Sequence, residues 1–252
     1  MSTPVLSHMT CESFDPIVHQ FPTSDELGQA VGARIVAMSK LAIQQRGEFS
    51  IAFSGGSLPG LVANSLVEHQ TQVDFTKWKV FLADERHVAS DSPDCNLKAV
   101  KDLLLSKLEN PPFQVFGLDY SLPVEQAAIK YAKHLPTEGL DLVLLGMGPD
   151  GHTASLFPGH ELLTYTGDSP VVAIKDSPKP PPERITLTLK YINTHAKQVW
   201  FVTTGAGKQD AVMRCAVPLS ELEPNPLPSA RVRPMQSAVE WYVDTEAGAR
   251  LL

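Results

Sequence analysis

An acid and an imidazole stand two positions apart in the run Leu144-Leu145-Gly146-Met147-Gly148-Pro149-Asp150-Gly151-His152-Thr153. The apolar stretch Asp141 to Leu145 reads as a buried strand, and three glycines and a proline then deliver Asp150 and His152 together. Open α/β sheets place their ligands beyond the carboxyl ends of their strands. Histidine titrates near neutral pH, so His152 held in such a loop is a candidate general base. Asp150 could orient the His152 ring or bind a substrate; a spacing of two residues leaves both open. The plainer alternative is a surface turn that carries a histidine.

Four further segments could do chemistry. Ser54-Gly55-Gly56-Ser57 follows the apolar run Phe49–Phe53 and precedes a helical pattern. Glycines admit a close ligand, and the unpaired N–H groups at a helix start favour an anion, so the segment is a candidate phosphate cradle. It has neither the Walker lysine nor the dinucleotide glycine spacing. Ala83-Asp84-Glu85-Arg86-His87 ends another apolar run. Arg86 could grip a phosphate or carboxylate through its planar fork, with Asp84 or Glu85 steadying it or binding sugar hydroxyls, and His87 falls at the rim. In Asp176-Ser177-Pro178-Lys179-Pro180-Pro181-Pro182-Glu183-Arg184, prolines stiffen a loop that presents Lys179 and Arg184. Stiffness lowers the entropy lost on binding an anion; an extended surface segment is the alternative. Thr203-Thr204-Gly205-Ala206-Gly207-Lys208 again ends a strand, and Lys208 either faces the site or is a solvated first-turn lysine.

The elements that must position these residues alternate. Apolar runs at 49–53, 78–83, 141–145, 171–174, 198–203 and 240–243 read as strands. Helical periodicity covers 24–47, 58–68, 97–108, 123–134 and 207–217, with Ser24 placed to cap the first helix and Gly47 to end it. Such alternation implies a mostly parallel sheet covered on both faces. The 252 residues, 43% hydrophobic and 19% charged, suit one α/β domain spanning 1–252, with residues 1–20 loosely packed or disordered. A net charge of −7 argues against a nucleic-acid binder and requires a locally basic site for an anionic substrate. No apolar stretch reaches the ~20 residues of a membrane helix. No secretory signal is visible, and Cys11, Cys95 and Cys215 are too few and too far apart for a disulfide framework or a metal site; a cytoplasmic location is expected. Pro218 to Pro234 carries no functional reading.

Taken together and in this order, the five segments resemble the 6-phosphogluconolactonase branch of the glucosamine-6-phosphate isomerase/6-phosphogluconolactonase family. The resemblance runs from about Ser54 to Lys208 and includes Ser155-Leu156-Phe157-Pro158 and Ile185-Thr186-Leu187-Thr188. It implies a Rossmann-like three-layer α/β sandwich. It implies hydrolysis of 6-phospho-D-glucono-1,5-lactone to 6-phosphogluconate in the oxidative pentose phosphate pathway, without metal or other cofactor. It implies a functional link to glucose-6-phosphate dehydrogenase. On the matching positions, His152 is the base that activates water, Gly55, Gly56 and Ser57 form the phosphate loop, and Arg86, Lys179 and Arg184 are its cations; which cation meets phosphate and which the oxyanion stays open.

Two rivals follow from the same residues. An amino-sugar-phosphate deaminase would use Asp84 as its base and carry a glutamate soon after the histidine; here no acid follows His152 until Glu161. A non-catalytic sugar-phosphate regulator would keep the cations and could lose the base, whereas this chain has both Asp150 and His152. No serine sits in a G-x-S-x-G elbow, so direct attack by water is simpler than an acyl-enzyme.

Overall fold

The computed structural model describes residues 14–251. Continuous apolar runs become strands buried on both faces. These are β2 (Phe49–Phe53), β3 (Trp78–Leu82), β6 (Leu142–Leu145) and β9 (Val199–Thr203), flanked by β10 (Glu240–Asp244), β1 (Ile17–Phe21) and the short β5 (Gln114–Val115). They form one seven-stranded sheet, ordered β1-β10-β9-β6-β2-β3-β5, with every pair parallel. A parallel sheet needs helical crossovers. They are α1 (Ser24–Arg46), α2 (Leu58–Glu68), α3 (Asn96–Leu103), α4 (Val124–Ala132), α5 (Leu189–His195) and α6 (Gln209–Cys215). The helices cover both sides of the sheet, as the α/β alternation predicts. Trp78, Trp200, Trp241, Phe49 and Phe201 are fully buried, and Phe201 stacks on Trp241 with ring centroids 4.0 Å apart.

The chain order locates the crevice. From β2 the sheet grows one way through β3 and β5, and the other way through β6, β9 and β10. The direction reverses between β2 and β6, where ligands of open α/β sheets bind. The Ser54 N–H bonds the Leu144 carbonyl across that boundary at 2.9 Å. A second, antiparallel sheet of β4 (Asp84–Arg86), β8 (Arg184–Leu187) and β7 (Val171–Ile174) stands over the same end. Ala83 joins the two sheets: its N–H bonds Phe53 O at 2.9 Å, and its carbonyl accepts Leu187 N–H at 2.8 Å.

Several expectations need correction. Residues 17–20, expected to be loosely packed or disordered, belong to β1, which pairs in register with β10 from Ile17↔Glu240 to Phe21↔Asp244; residues 14–16 form no regular element, and residues 1–13 lie outside the described residues. Thr23, not Ser24, caps α1, accepting Glu26 N–H on its hydroxyl, while Gly47 ends the helix in the left-handed conformation (φ 81°). The helix expected over 97–108 stops at Leu103, because Leu104 leaves helical geometry (φ −125°, ψ −66°) before a single 3-10 turn, Leu105–Lys107.

Candidate active site

Of the ten candidate catalytic and substrate-binding residues, eight line one cleft of about 300 Å³ at the β2/β6 crevice: Ser54, Gly55, Gly56, Ser57, Arg86, His152, Arg184 and Lys208. The other two, Asp150 and Lys179, adjoin it by bonding to His152 or to each other.

The loop after β6 is a closed turn. Gly151 N–H bonds Gly148 O and Gly148 N–H bonds His152 O, both at 2.9 Å, and Thr153 Oγ1 holds Gly146 O at 2.9 Å. This geometry brings His152 Nδ1 to 2.5 Å from Asp150 Oδ1. Burial pushes the Asp150 carboxyl up, but the bond to His152 and the nearby Lys179 ammonium outweigh it and hold the carboxyl down at about 2. An ionised oxygen at that distance requires the hydrogen on Nδ1, so Nε2 is the free, basic nitrogen. The His152 pKa is lowered, chiefly by burial and further by Lys179, against the raising effect of Asp150. The lowering favours the neutral ring. Phe157 stacks on it at 4.8 Å between centroids, fixing its plane.

Lys179 does not line the cleft. Its ammonium lies 3.1 Å from Asp150 Oδ1 and 3.1 Å from His152 Nδ1. Arg184 is buried and organises the proline loop from within: its Nε bonds Pro181 O at 2.9 Å, and its Nη2 bonds Lys179 O at 2.8 Å and Pro180 O at 3.1 Å. It makes no ion pair among the described residues. Burial lowers its pKa, and Arg86 adds to the lowering. The two arginines face each other across β4 and β8 (Arg86↔Arg184). Like charges at opposed positions repel, so an anion between them is favoured. Arg86 Nη1 bonds Asp94 O at 2.9 Å, whereas its buried Nε has no partner among the described residues. Lys208 reaches back to Met147 O at 2.7 Å, and burial lowers its pKa.

The acidic pair before Arg86 divides its work. Asp84 lines the cleft; its Oδ2 accepts Ser155 Oγ–H at 2.7 Å and its Oδ1 accepts Asn96 Nδ2–H at 3.2 Å. Glu85 is fully buried and faces away from the cleft. It accepts the N–H groups of Arg86, Asn96 and Leu97 at 2.7, 2.7 and 2.8 Å and Tyr120 OH at 3.0 Å, so it pins the start of α3 to β4. Burial raises its pKa. Cys95 is buried beside it. His87 points to Leu122 O and Glu183, outside the cleft. Asn96 also presses against Gly55, where a Cβ would stand 1.8 Å from Asn96 Oδ1, so only glycine lets loop and helix meet there.

Sequence reasoning did not single out Asn96 or the supporting role of Ser155, and it gave no role to Thr203 and Thr204, which line the cleft. Asn96 is distant in sequence and polar in an otherwise amphipathic helix, which gives no local signal. Ser155 had one: it falls in the quoted run after His152. Ala154 before it takes a left-handed conformation (φ 48°), which turns Ser155 back toward Asp84.

A parallel α/β sheet with a neutral imidazole and a ring of cations at its switch point defines a site for a small anionic substrate that gives up or receives a proton. Comparison with known proteins narrows this. Residues 22–241 match the family described as glucosamine-6-phosphate isomerases/6-phosphogluconolactonase, and the chain belongs to that family. It is 40% identical to the human 6-phosphogluconolactonase, over 94% of this chain and 93% of that one. It is 38% identical to a probable 6-phosphogluconolactonase of Schizosaccharomyces pombe, over 93% and 95%. The solved 6-phosphogluconolactonase of Trypanosoma brucei superposes with a TM-score of 0.80 at 29% identity, covering 95% of this chain and all of that one. A monomeric glucosamine-6-phosphate deaminase shares the fold, with a TM-score of 0.75 at 22% identity.

Proposed function

We propose that this protein hydrolyses 6-phospho-D-glucono-1,5-lactone to 6-phosphogluconate, with His152 as the base that activates water. The observation that carries the mechanism is the 2.5 Å contact between Asp150 Oδ1 and His152 Nδ1, which leaves Nε2 free at the wall of a cation-lined cleft. Water loses a proton to Nε2 as its oxygen joins the lactone carbonyl carbon. The tetrahedral oxyanion is stabilised by backbone N–H groups or by a nearby cation. On collapse the C–O ring bond breaks, and the imidazolium returns the proton to the departing ring oxygen. The phosphate is held by the Ser54–Ser57 loop with Arg86, Arg184 and Lys208, and this remote binding fixes the ring against the base. Lys179 acts on this site through Asp150 and His152. The whole chain works as one catalytic unit in the cytoplasm, supplied with lactone by glucose-6-phosphate dehydrogenase; the free, buried thiols of Cys95 and Cys215 suit a reducing compartment.

The relatives' names and the arrangement of the cleft both favour the lactonase over the deaminase. Asp84, the deaminase's candidate base, is committed to Ser155 and Asn96, and Glu161 is exposed in a 3-10 turn. The test is hydrolysis of freshly generated lactone in heavy-oxygen water. Acceleration far above the spontaneous rate, with solvent oxygen in the product carboxylate within one turnover, is expected. No acceleration, or a trapped acyl-enzyme, contradicts the proposal, and ammonia release from glucosamine 6-phosphate would replace it with deamination.

A further inference from the structure

The segment from Pro218 to Pro234, silent in the sequence, passes behind the Asp150–His152 turn. Its 3-10 turn, Pro228–Arg231, is anchored to the body of the protein: Asn193 of α5 donates to Arg231 O at 3.0 Å and accepts Arg233 N–H at 2.7 Å, and Arg233 Nη2 bonds Val217 O at 2.8 Å. From this anchored strap two groups reach Gly151, the residue between Asp150 and His152. Ser229 donates both its N–H and its Oγ–H to the Gly151 carbonyl, at 3.0 and 2.9 Å. Leu227 fills the space where a side chain of the same residue would stand. A Cβ on Gly151 would stand 2.6 Å from Leu227 Cδ1, 2.9 Å from its Cβ and 3.1 Å from its Cγ. Gly151 itself is in the left-handed region (φ 76°), a conformation with no side chain of its own to hold it.

We infer that Leu227 is a positioning residue for His152: by filling the space a Gly151 side chain would take, it fixes the turn that aligns Asp150 with His152 Nδ1 and aims Nε2 into the cleft. The inference rests on the reading of His152 as the base. The turn's own bond to Gly148 O holds the Gly151 N–H and Ser229 holds its carbonyl, but these hydrogen bonds leave the side-chain face of Gly151 open, and the turn can still rock toward that face. Leu227 blocks this motion by occupying the space into which Gly151 would swing. The side chain is only partly buried and lies at the edge of the core, so its loss is felt by the turn more than by the fold.

Leu227→Ala tests this. A misplacement of the base by a fraction of an ångström predicts kcat lowered by about tenfold to a hundredfold with KM nearly unchanged. Leu227→Met, which refills most of the contact, restores most of kcat. The Tm falls by less than about 5 °C in either variant. Gly151→Ala costs less activity in the Leu227→Ala background than in the native one, because the clashes with Leu227 Cδ1 and Cγ are gone, although the close Leu227 Cβ and the left-handed backbone keep part of the cost. The His152 ring, followed by NMR, titrates closer to an ordinary histidine in Leu227→Ala. A Leu227→Ala protein with native kcat and native His152 titration overturns the inference, as does a loss confined to KM. Should the native protein fail to hydrolyse the lactone, the proposed function falls, and the His152 titration alone still decides whether Leu227 positions the ring.

Discussion

A carboxylate 2.5 Å from one imidazole nitrogen decides which nitrogen is free, and the proposed chemistry depends on that choice. Lys179 adds a second control. Its ammonium sits on the same Asp150 oxygen and beside the same ring, and it lowers the His152 pKa on top of the larger effect of burial. A base works only when unprotonated, so kcat/KM falls as pH drops through the His152 pKa. That acid limb is expected below the value of an ordinary histidine. Lys179→Met raises the His152 pKa and moves the limb to higher pH, by less than about one unit because the lysine is half exposed and screened. A pH profile of kcat/KM checks this; a limb that stays or moves down contradicts it. The pairing of Asp150 and His152 was open in the sequence, since two residues of spacing fit many turns. The hydrogen bonds that close this turn come from its own backbone and from Ser229, 78 residues away.

At the scale of elements, the legible parts were those whose burial is written as composition. β2, β6 and β9 are buried on both faces and read as apolar runs. β4 and β8 were illegible as strands because they are polar or charged: Asp84-Glu85-Arg86 looks like a rim, and its buried acid is satisfied only by α3 and Tyr120. β5 has two residues and α5 seven, too short for a period to emerge. The missed β4–β8 pairing is what sets Arg86 opposite Arg184. That opposition predicts that an anion binding between them stabilises the protein. 6-Phosphogluconate should raise Tm in the native protein, and Arg86→Met should remove most of that rise while leaving the Tm of the free protein unchanged or higher. Equal ligand-induced shifts in both proteins would contradict it.

Across the whole molecule, the site and its support lie at opposite ends of the sheet. The amino end of β10 is tied to β1 and α1 by Glu240, which accepts His19 Nε2 at 2.6 Å, Arg34 Nη2 at 3.0 Å and Tyr242 OH at 3.0 Å; Arg34 also lies over Trp200 at 4.8 Å. Glu240→Ala should cost about 2 kcal/mol in urea unfolding, since Tyr242 loses a buried partner while the half-exposed Arg34 regains water. Its kcat should stay native, which separates scaffold from site; a fall in kcat at full folding would contradict that separation. The molecule is acidic overall, yet Arg86, Lys179, Arg184 and Lys208 gather at one end against Asp84 and Asp150. In the proposed function that arrangement holds the phosphosugar without help from the base. The most direct test of the account is therefore hydrolysis of fresh 6-phosphogluconolactone by the native protein and by His152→Asn, with 6-phosphogluconate affinity measured alongside. The account predicts that kcat drops by about a hundredfold or more while affinity stays within a few-fold of native. Native turnover in His152→Asn would contradict it.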